Sequence, residues 1–553
     1  MNATAKKLIL PGIFRCRTLF SYARTNKCKT PRHGMSLSPD LKTFEALAAK
    51  NPGKLIPVTR RFLADAITPL SAFRRMPASD YAFLLESVER GERIGRYSFV
   101  GSAPDLIFRG QALPKPGYTV ETSDGKRTEH SGDPLVALDK YLREHRAIAE
   151  SEGGRQDART TIPPFCGGAV GYLGYDVVRL IEPRLNAHPP ARAGIEGIPD
   201  LIVPVYRTVL AFDHVLNTAT VVHYADPAQS GAKAAHAAAE RAIDAVIASL
   251  RAPSVEPLDE IVEPRDGAAD PPVRSNMDPA AYMRAVEKAK EYIAAGDITQ
   301  VVPSQRFSRT TRAHPFEVYR SLRAINPSPY MFYLHFGPLH LVGSSPEVLV
   351  RVQDGTIVVR PIAGTRRRGV NAEEDARLAK ELIEDPKELA EHTMLLDLGR
   401  NDVGRVSEYG SVAVTEQMII ENYSHVMHIV SNVRGKMRKD SNAFEVLRSC
   451  IPAGTLSGSP KIRAMEIIDE LEPDRRGPYG GAVGVLDFQG NLNTAIVIRT
   501  FIMQDRGDGT FDAHVQAGAG GVADSVPKVE YEETVNKAKA LLRALSMAEA
   551  RLK

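Results

Sequence analysis

Two pairs of glutamates are the first residues in this chain whose spacing could do chemistry. Glu388 and Glu391 stand three apart, as do Glu530 and Glu533, and Lys537 follows one helical turn beyond Glu533. Side chains three apart on a helix share a face, so each pair would present two carboxylates side by side. Two such helices facing each other would surround a hard cation with oxygens. Mg²⁺ suits that arrangement, because it takes one or two carboxylates and fills its other positions with water and substrate oxygens. Taken singly, either pair reads first as a solvated helix face, and spacing alone does not carry the metal reading.

Three glycine-rich loops form a second group: Pro361–Gly369, Pro452–Lys461 and Gln516–Gly521. Glycine lets backbone approach a ligand closely, and successive N–H groups make concave sites for anions. The bland alternative for each is a tight turn. The second loop lacks the order of a nucleotide-binding P-loop. Arg366, Arg367 and Arg368 read as phosphate contacts or as a solvated run. His428 lies in the apolar run Val426–Val430, where a histidine is either a hydrogen-bonded core residue or part of a site.

These groups need elements to hold them. Helices are predicted at Ala232–Arg251, Ala372–Glu384, Lys387–Leu398 and Glu530–Met547. Another begins at Asp278 as N-cap with Pro279 in the first turn, and ends at Gly296. Val348–Val352 and Thr356–Arg360 flank Asp354-Gly355, a strong hairpin signal. Further strands are expected at Gly481–Phe488, Thr494–Met503 and Ala513–Ala517. Hairpins rather than strict strand–helix alternation point to an α+β fold. The proline-rich stretch from Ala252 to Pro279 reads as a linker, which gives segments 1–35, 36–252, 253–277 and 278–547.

Composition narrows the class. The 553 residues are 43% hydrophobic and 25% charged, as in globular proteins, and no apolar run is long enough to span a membrane. Four scattered cysteines argue against a disulfide framework. The net charge of +4 conceals an uneven distribution. Residues 1–39 carry eight basic side chains and no acidic ones, which leaves −4 for the remainder. That basic stretch reads as a disordered extension preceding Met35 or as a targeting segment. Nothing global, and no aromatic RNA-binding motif, indicates nucleic acid.

The glutamates, loops and histidine occur with Asn326–Met331, Ser345-Pro346-Glu347, Ala390–Asp402 and Arg476–Gly481, all in one order. In that order the chain resembles the Mg²⁺-dependent chorismate-utilising enzymes over roughly residues 36–547. The resemblance implies large antiparallel sheets packed as a sandwich with helices outside. It implies that Glu391 and Glu533 ligate Mg²⁺, with Glu388 and Glu530 nearby through water. Lys537 and the backbone of Gly518, Ala519 and Gly520 would meet the ring carboxylate of chorismate. Tyr479 and Arg499 would meet the enolpyruvyl carboxylate, with Thr455 close by, and Gly364 and Thr365 would add further substrate contacts. Glu347 matches the residue beside the departing C4 hydroxyl, and His428 would serve the same end of the ring.

Two positions choose among the branches. Where water-adding relatives carry a base lysine, this chain has Gln300. Where the aminodeoxychorismate-forming relatives carry a lysine, it has Ala363. Both favour the branch that uses ammonia to form anthranilate and release pyruvate, the first step of tryptophan biosynthesis; the folate-branch amination is the alternative. Leu84–Ser87 resembles the family's tryptophan-binding stretch, so Ser87 with Pro329, Tyr330 and Met331 would form a feedback site. Cys166, in Pro-Phe-Cys-Gly-Gly, lacks the preceding glycine of a glutaminase nucleophile elbow. The expected ammonia source is therefore a separate glutamine amidotransferase subunit in a hetero-oligomer. The expected location is the cytoplasm, with organelle import through residues 1–34 left open.

Overall fold

A computed structural model describes residues 36–87, 95–148, 162–187, 194–253, 272–423 and 426–550. The basic stretch 1–35 and residues 254–271 of the proline-rich segment lie outside the described residues. Among the described residues no helix is long and apolar enough to cross a membrane.

Two large antiparallel sheets dominate. The first has eleven strands, in the order 56–63, 218–225, 208–213, 97–102, 81–86, 330–336, 339–345, 500–505, 511–518, 304–311 and 274–275. The second has twelve, running 362–367, 426–436, 356–359, 348–353, 492–496, 482–487, 168–173, 201–206, 106–111, 117–122 and 127–131, with 413–422 also paired to 426–436. Each half of the sequence gives strands to both sheets, so the core crosses the 253–277 stretch expected as a boundary. In the first sheet the halves meet where Tyr81–Glu86 pairs with Tyr330–Phe336, leaving neither strand with an open edge.

Strand periodicity explains the layering. Along Leu106–Gln111, Leu106 and Phe108 face one apolar cluster and Ile107 the other. Leu201, Val203 and Val205 likewise oppose Ile202. Alternate side chains point to opposite faces, so both faces of the second sheet are covered. Between the sheets lie Phe83, Phe332, Leu334, Leu341, Tyr172 and Tyr206, with Phe83 edge-on to Tyr206 at 4.8 Å. On the outer face pack Leu135, Leu138 and Leu142 of helix Pro134–Glu144, Leu396 and Val403 of helix Pro386–Gly404, and Phe444 and Leu447 of helix Ala443–Cys450. This is the sandwich with external helices that the resemblance implies.

Most predicted elements form with small shifts. Helices Ala232–Arg251 and Ala372–Glu384 and the hairpin at Asp354-Gly355 are as expected. The helix expected at Lys387 starts at Pro386, because Asp385 caps it by accepting from the Lys387 and Glu388 N–H groups, and it runs on to Gly404. The C-terminal helix spans Pro527–Ala550. One element differs in kind. The single strand expected at Thr494–Met503 is two, Leu492–Ile496 in the second sheet and Thr500–Asp505 in the first. The chain crosses between sheets at Val497–Arg499, and Arg499 takes a left-handed φ of +52° there.

Candidate active site

Two crossings between the sheets lie side by side. Strand Leu339–Ser345 pairs with Thr500–Asp505 in the first sheet, and Val348–Gln353 pairs with Leu492–Ile496 in the second. Pro346-Glu347 and Val497–Arg499 are the links, so the topology delivers Glu347 and Arg499 to the same seam. The Ile496 N–H donates to the Glu347 carbonyl at 3.0 Å and ties the two links together.

Glu347 is the most perturbed carboxyl of the seam. Burial pushes it from 4.5 up to about 8, against the hydroxyl of Thr455, which donates to its Oε1 at 3.1 Å, and the nearby Lys537 cation. A carboxyl in that range is neutral at pH 7 and has a proton to give. Lys537 itself is held between the Gly518 carbonyl at 2.9 Å and Glu533 Oε1 at 2.6 Å, and the Lys537 carbonyl accepts from Arg499 at 2.7 Å. Tyr479 is buried, and that burial raises its hydroxyl to about 12. A Cβ on Gly518 would stand 3.0 Å from the Tyr479 hydroxyl and 2.9 Å from the Pro303 carbonyl, so only glycine fits this approach. Ala519 is fully buried, its N–H bound to the same carbonyl at 3.2 Å.

The two glutamate pairs sense each other through Glu391 and Glu533, with Glu388 beside Glu391 and Glu530 beside Glu533. Burial, then the Glu388 charge and more weakly Glu533, raises the Glu391 carboxyl; burial and Glu533 raise Glu530. Gln300 donates to Glu391 Oε1 at 3.3 Å beside Gly520, while its own Oε1 is buried with no hydrogen-bond partner among the described residues. No group of three or more His, Cys, Asp or Glu among the described residues is close enough to hold a metal by itself. The arrangement is instead a loose set of hard oxygen donors, mutually repelling, plus one orphaned amide oxygen. That donor set fits a cation of the Mg²⁺ type, which completes its shell with water and ligand oxygens.

Glu388 faces the Pro361–Gly369 loop. A Cβ on Gly364 (φ +66°) would stand only 3.1 Å from Glu388 Oε2, so a side chain there would crowd the carboxylate. His428 Nδ1 lies 2.9 Å from the Gly364 carbonyl and 3.1 Å from the Thr365 hydroxyl. A carbonyl only accepts, so Nδ1 carries the proton and Nε2 keeps its lone pair. Burial, assisted by Arg499, lowers the imidazole below its usual range and keeps it neutral.

The arginine run is not a phosphate site. Arg366 pairs with Asp385 at 2.8 Å and Glu388 at 3.0 Å, Arg367 with Glu374 at 2.5 Å, and Arg368 with Asp375. Its bonds to Glu388 give Arg366 a place in the site that the sequence did not signal. Also unforeseen was the buried pair Glu472–Arg476 behind Tyr479; the i,i+4 spacing within a run leading to Arg476–Gly481 was its only cue.

Ser87, Pro329, Tyr330 and Met331 come together elsewhere, lining a cavity of about 250 Å³ with Phe99 and Phe165. The Ser87 hydroxyl is buried and has no partner among the described residues. Neighbouring Glu86 is engaged, by the Tyr319 hydroxyl at 2.7 Å and Arg323 at 2.9 Å. Tyr330 and Met331 pair across the sheet with Ser345 and Ser344, two and three residues from Glu347.

Comparisons with known proteins agree with this geometry. Residues 93–543 match the family described as chorismate binding enzyme. Anthranilate synthase component 1 of Pseudomonas putida is 46% identical over 505 residues, covering 89% of this chain and 96% of the relative. The crystal structure of anthranilate synthase component I from Streptococcus pneumoniae superposes with a TM-score of 0.68 at 34% identity, covering 87% of this chain and 99% of that one. The menaquinone-specific isochorismate synthase of Escherichia coli shares the fold at a TM-score of 0.62 and 18% identity, over 92% of this chain and all of that one.

Proposed function

The chain belongs to the chorismate-binding enzyme family, and from that premise we propose that it is the aminating component of a two-component anthranilate synthase. It converts chorismate and ammonia to anthranilate and pyruvate. The observation that carries the choice of nucleophile is the neutral amide of Gln300 against Glu391. An amide cannot take a proton from water, so addition of water has no base at this position, whereas neutral ammonia is nucleophilic enough to add without being deprotonated first. The substrate class also accords with the seam: two carboxylates of chorismate need cationic and N–H partners, and Arg499, Lys537 and the backbone at Gly518–Gly520 supply them.

Glu347, neutral at pH 7, gives its proton to the departing C4 hydroxyl as ammonia adds at C2, and water leaves. Thr455 then stabilises the carboxylate that remains. His428, with its Nε2 lone pair free, accepts the C2 proton as the C3–O bond breaks, and the enolpyruvate released takes up a proton to leave as pyruvate. Arg499 grips the enolpyruvyl carboxylate through a planar fork, beside the Tyr479 hydroxyl. Glu391 and Glu533 would hold Mg²⁺, with Glu388 and Glu530 beside it; when bound, the ion orients and polarises the ring carboxylate. Ammonia comes from glutamine through a separate amidotransferase subunit, and the cytoplasm is the proposed setting.

Tryptophan is the proposed occupant of the Ser87 cavity. Its apolar walls suit an indole, and the Ser87 hydroxyl, without a partner among the described residues, suits a polar ligand atom. Pairing of Tyr330 and Met331 with the strand that ends at Ser345 supplies a short physical link to Glu347. Feedback inhibition then requires only that bound tryptophan favour an arrangement with a poorer active site.

The deciding experiment gives the purified chain chorismate, MgCl₂ and an ammonium salt, with anthranilate followed by fluorescence and product mass. Mg²⁺-dependent anthranilate that falls with added tryptophan supports the reading. Accumulation of aminodeoxychorismate or isochorismate, identified by chromatography against authentic standards because each is an isomer of a species already present, would overturn the roles given to Ala363 and Gln300.

A further inference from the structure

We propose that the buried pair Glu472–Arg476 is the positioning element of this active site, one guanidinium fixing the segments that carry Gln300, Thr455 and Tyr479 in a single relative geometry. The proposal rests on the site assigned above, and neither residue reaches into it.

Arg476 is only 2% exposed and Glu472 4%. The guanidinium spends four N–H bonds. Nε and Nη2 grip the two oxygens of Glu472 at 2.9 and 2.5 Å, Nη1 donates to the Leu456 carbonyl at 2.6 Å, and Nη2 donates also to the Val302 carbonyl at 2.6 Å. Leu456 follows Thr455 directly, and Val302 lies two residues beyond Gln300. The same guanidinium lies over the Tyr479 ring at 5.5 Å and the Tyr175 ring at 4.7 Å. Glu472 extends the reach. Its Oε1 accepts from the Ser304 N–H at 2.7 Å and hydroxyl at 2.8 Å, and Ser304 pairs across the sheet with Gly518. Segments far apart in sequence thus meet on one ion pair.

Stability alone is a weak reason for such a pair. Taking both charges out of water costs several kcal/mol, and apolar replacements of similar volume are often neutral or stabilising. What an apolar pair cannot do is direct several bonds at fixed angles from one plane. Lysine cannot do so either: its ammonium is a single point with rotatable donors, whereas the guanidinium is a rigid fork. A displacement of about 1 Å in a reacting group costs on the order of 100-fold in rate. This fork holds the Leu456 and Val302 carbonyls to that tolerance, beside the short pairing of Gln300–Val301 with Gly458–Ser459 and the bonds of the Val302 and Thr299 N–H groups to the Ser457 and Ser459 carbonyls.

The test uses the full chain as the double variant Glu472→Gln/Arg476→Met, which removes both charges and keeps the volume, and the single variant Arg476→Lys. Both are assayed with chorismate at saturating MgCl₂ and ammonium chloride, alongside melting temperature and calorimetric chorismate binding. Positioning predicts a native-like melt for the double variant, kcat/KM lower by about 100-fold, and a KM for chorismate raised at least fivefold. It also predicts that the alkaline limb of the pH profile moves upward, because Thr455 is released from Glu347. A merely structural role lowers activity only with the folded fraction and leaves KM and the pH limb in place, which would overturn the proposal. Should the double variant not fold, Arg476→Lys decides by the same KM criterion. Should the wild type make no anthranilate, the functional reading fails, and unchanged chorismate binding by the folded variants would then overturn the clamp on its own.

Discussion

Replacing Glu347 by Gln should cost activity and gain stability, with the gain appearing only as pH rises. The ionised carboxylate is disfavoured in the folded chain because burial moves it from 4.5 to about 8. In the unfolded chain the same group ionises near 4.5. Below that pH both states hold the proton and the carboxyl contributes nothing. Between 4.5 and 8 the folded state keeps a proton that the unfolded state has lost, so stability falls as pH rises, and above 8 the loss is complete. At 1.36 kcal/mol for each unit, the full penalty is at most about 5 kcal/mol, and relaxation with solvent entry at the seam would leave roughly 2–4 kcal/mol. Glutamine has the same shape and no charge, so it escapes the penalty. At about 2.1 cal/mol/K of unfolding entropy per residue, a chain of this length shifts by about 1 °C per kcal/mol. The melting temperature of Glu347→Gln should therefore match wild type near pH 4.5 and exceed it by roughly 2–4 °C at pH 8.5. Activity at pH 7 should fall by 10²–10⁴-fold, the usual worth of a positioned general acid. A melting-temperature difference that does not change with pH, or near-normal turnover by the variant, would refute both the burial argument and the role given to Glu347.

Three further expectations follow from the same geometry. Ser87→Ala should weaken tryptophan binding about tenfold, the worth of one buried hydrogen bond; because the chain contains no tryptophan, ligand fluorescence reports binding directly, and an unchanged titration would remove Ser87 from the pocket's function. Glu533→Gln should raise the Mg²⁺ concentration giving half-maximal activity by 10-fold or more, while the metal-free protein melts close to wild type, since the half-exposed ion pair with Lys537 that is lost is worth little and a charge that repels Glu391 and Glu530 goes with it. An unchanged Mg²⁺ requirement would exclude Glu533 as a ligand. Gln300→Lys should form an ion pair with Glu391 and lower ammonia-dependent anthranilate formation at least tenfold, with chromatographic separation of isochorismate from chorismate showing whether water addition replaces it; full ammonia-dependent activity would show that this position does not choose the nucleophile.

How far the sequence alone could be read depended on whether a rule of local periodicity still applied. It applied to helices Ala232–Arg251 and Ala372–Glu384, whose apolar faces and caps are local properties, and to the Asp354-Gly355 turn, where two residues at positive φ decide the hairpin. The side-by-side carboxylates within each glutamate pair were legible from helical spacing; the approach of Glu533 to Glu391 between the helices is a matter of packing. The binding partners of Arg366, Arg367 and Arg368 were not legible at all. A run of three cations reads as an anion site until the acids of helix Ala372–Glu384, and Asp385 and Glu388 beyond it, fold back onto it. Likewise nothing in Glu472 or Arg476 taken alone announces that their carbonyl partners lie 20 and 174 residues away.

The one misread strand carries the more general lesson. Thr494–Met503 has the composition of a continuous strand, and its apolar residues do lie in strands at both ends. It breaks because two sheets must share it, and the link Val497–Arg499 is where the chain leaves one for the other. Pro346-Glu347 does the same in the neighbouring strand pair. At such a crossing the backbone leaves one ladder for the other and its side chains divide: Val497 and Ile498 pack into the two clusters, while Glu347 and Arg499 supply polar groups at the seam. Arg499 holds a left-handed conformation that a non-glycine residue adopts at a cost of about 1–3 kcal/mol, and it is held there by its bond to the Lys537 carbonyl. An acid with a raised pKa and a strained arginine thus occur together at the two places where strand regularity fails. Local pattern fails there for a topological reason: the chain must change sheets at that point, and the residues that make the change include the two polar side chains of the seam.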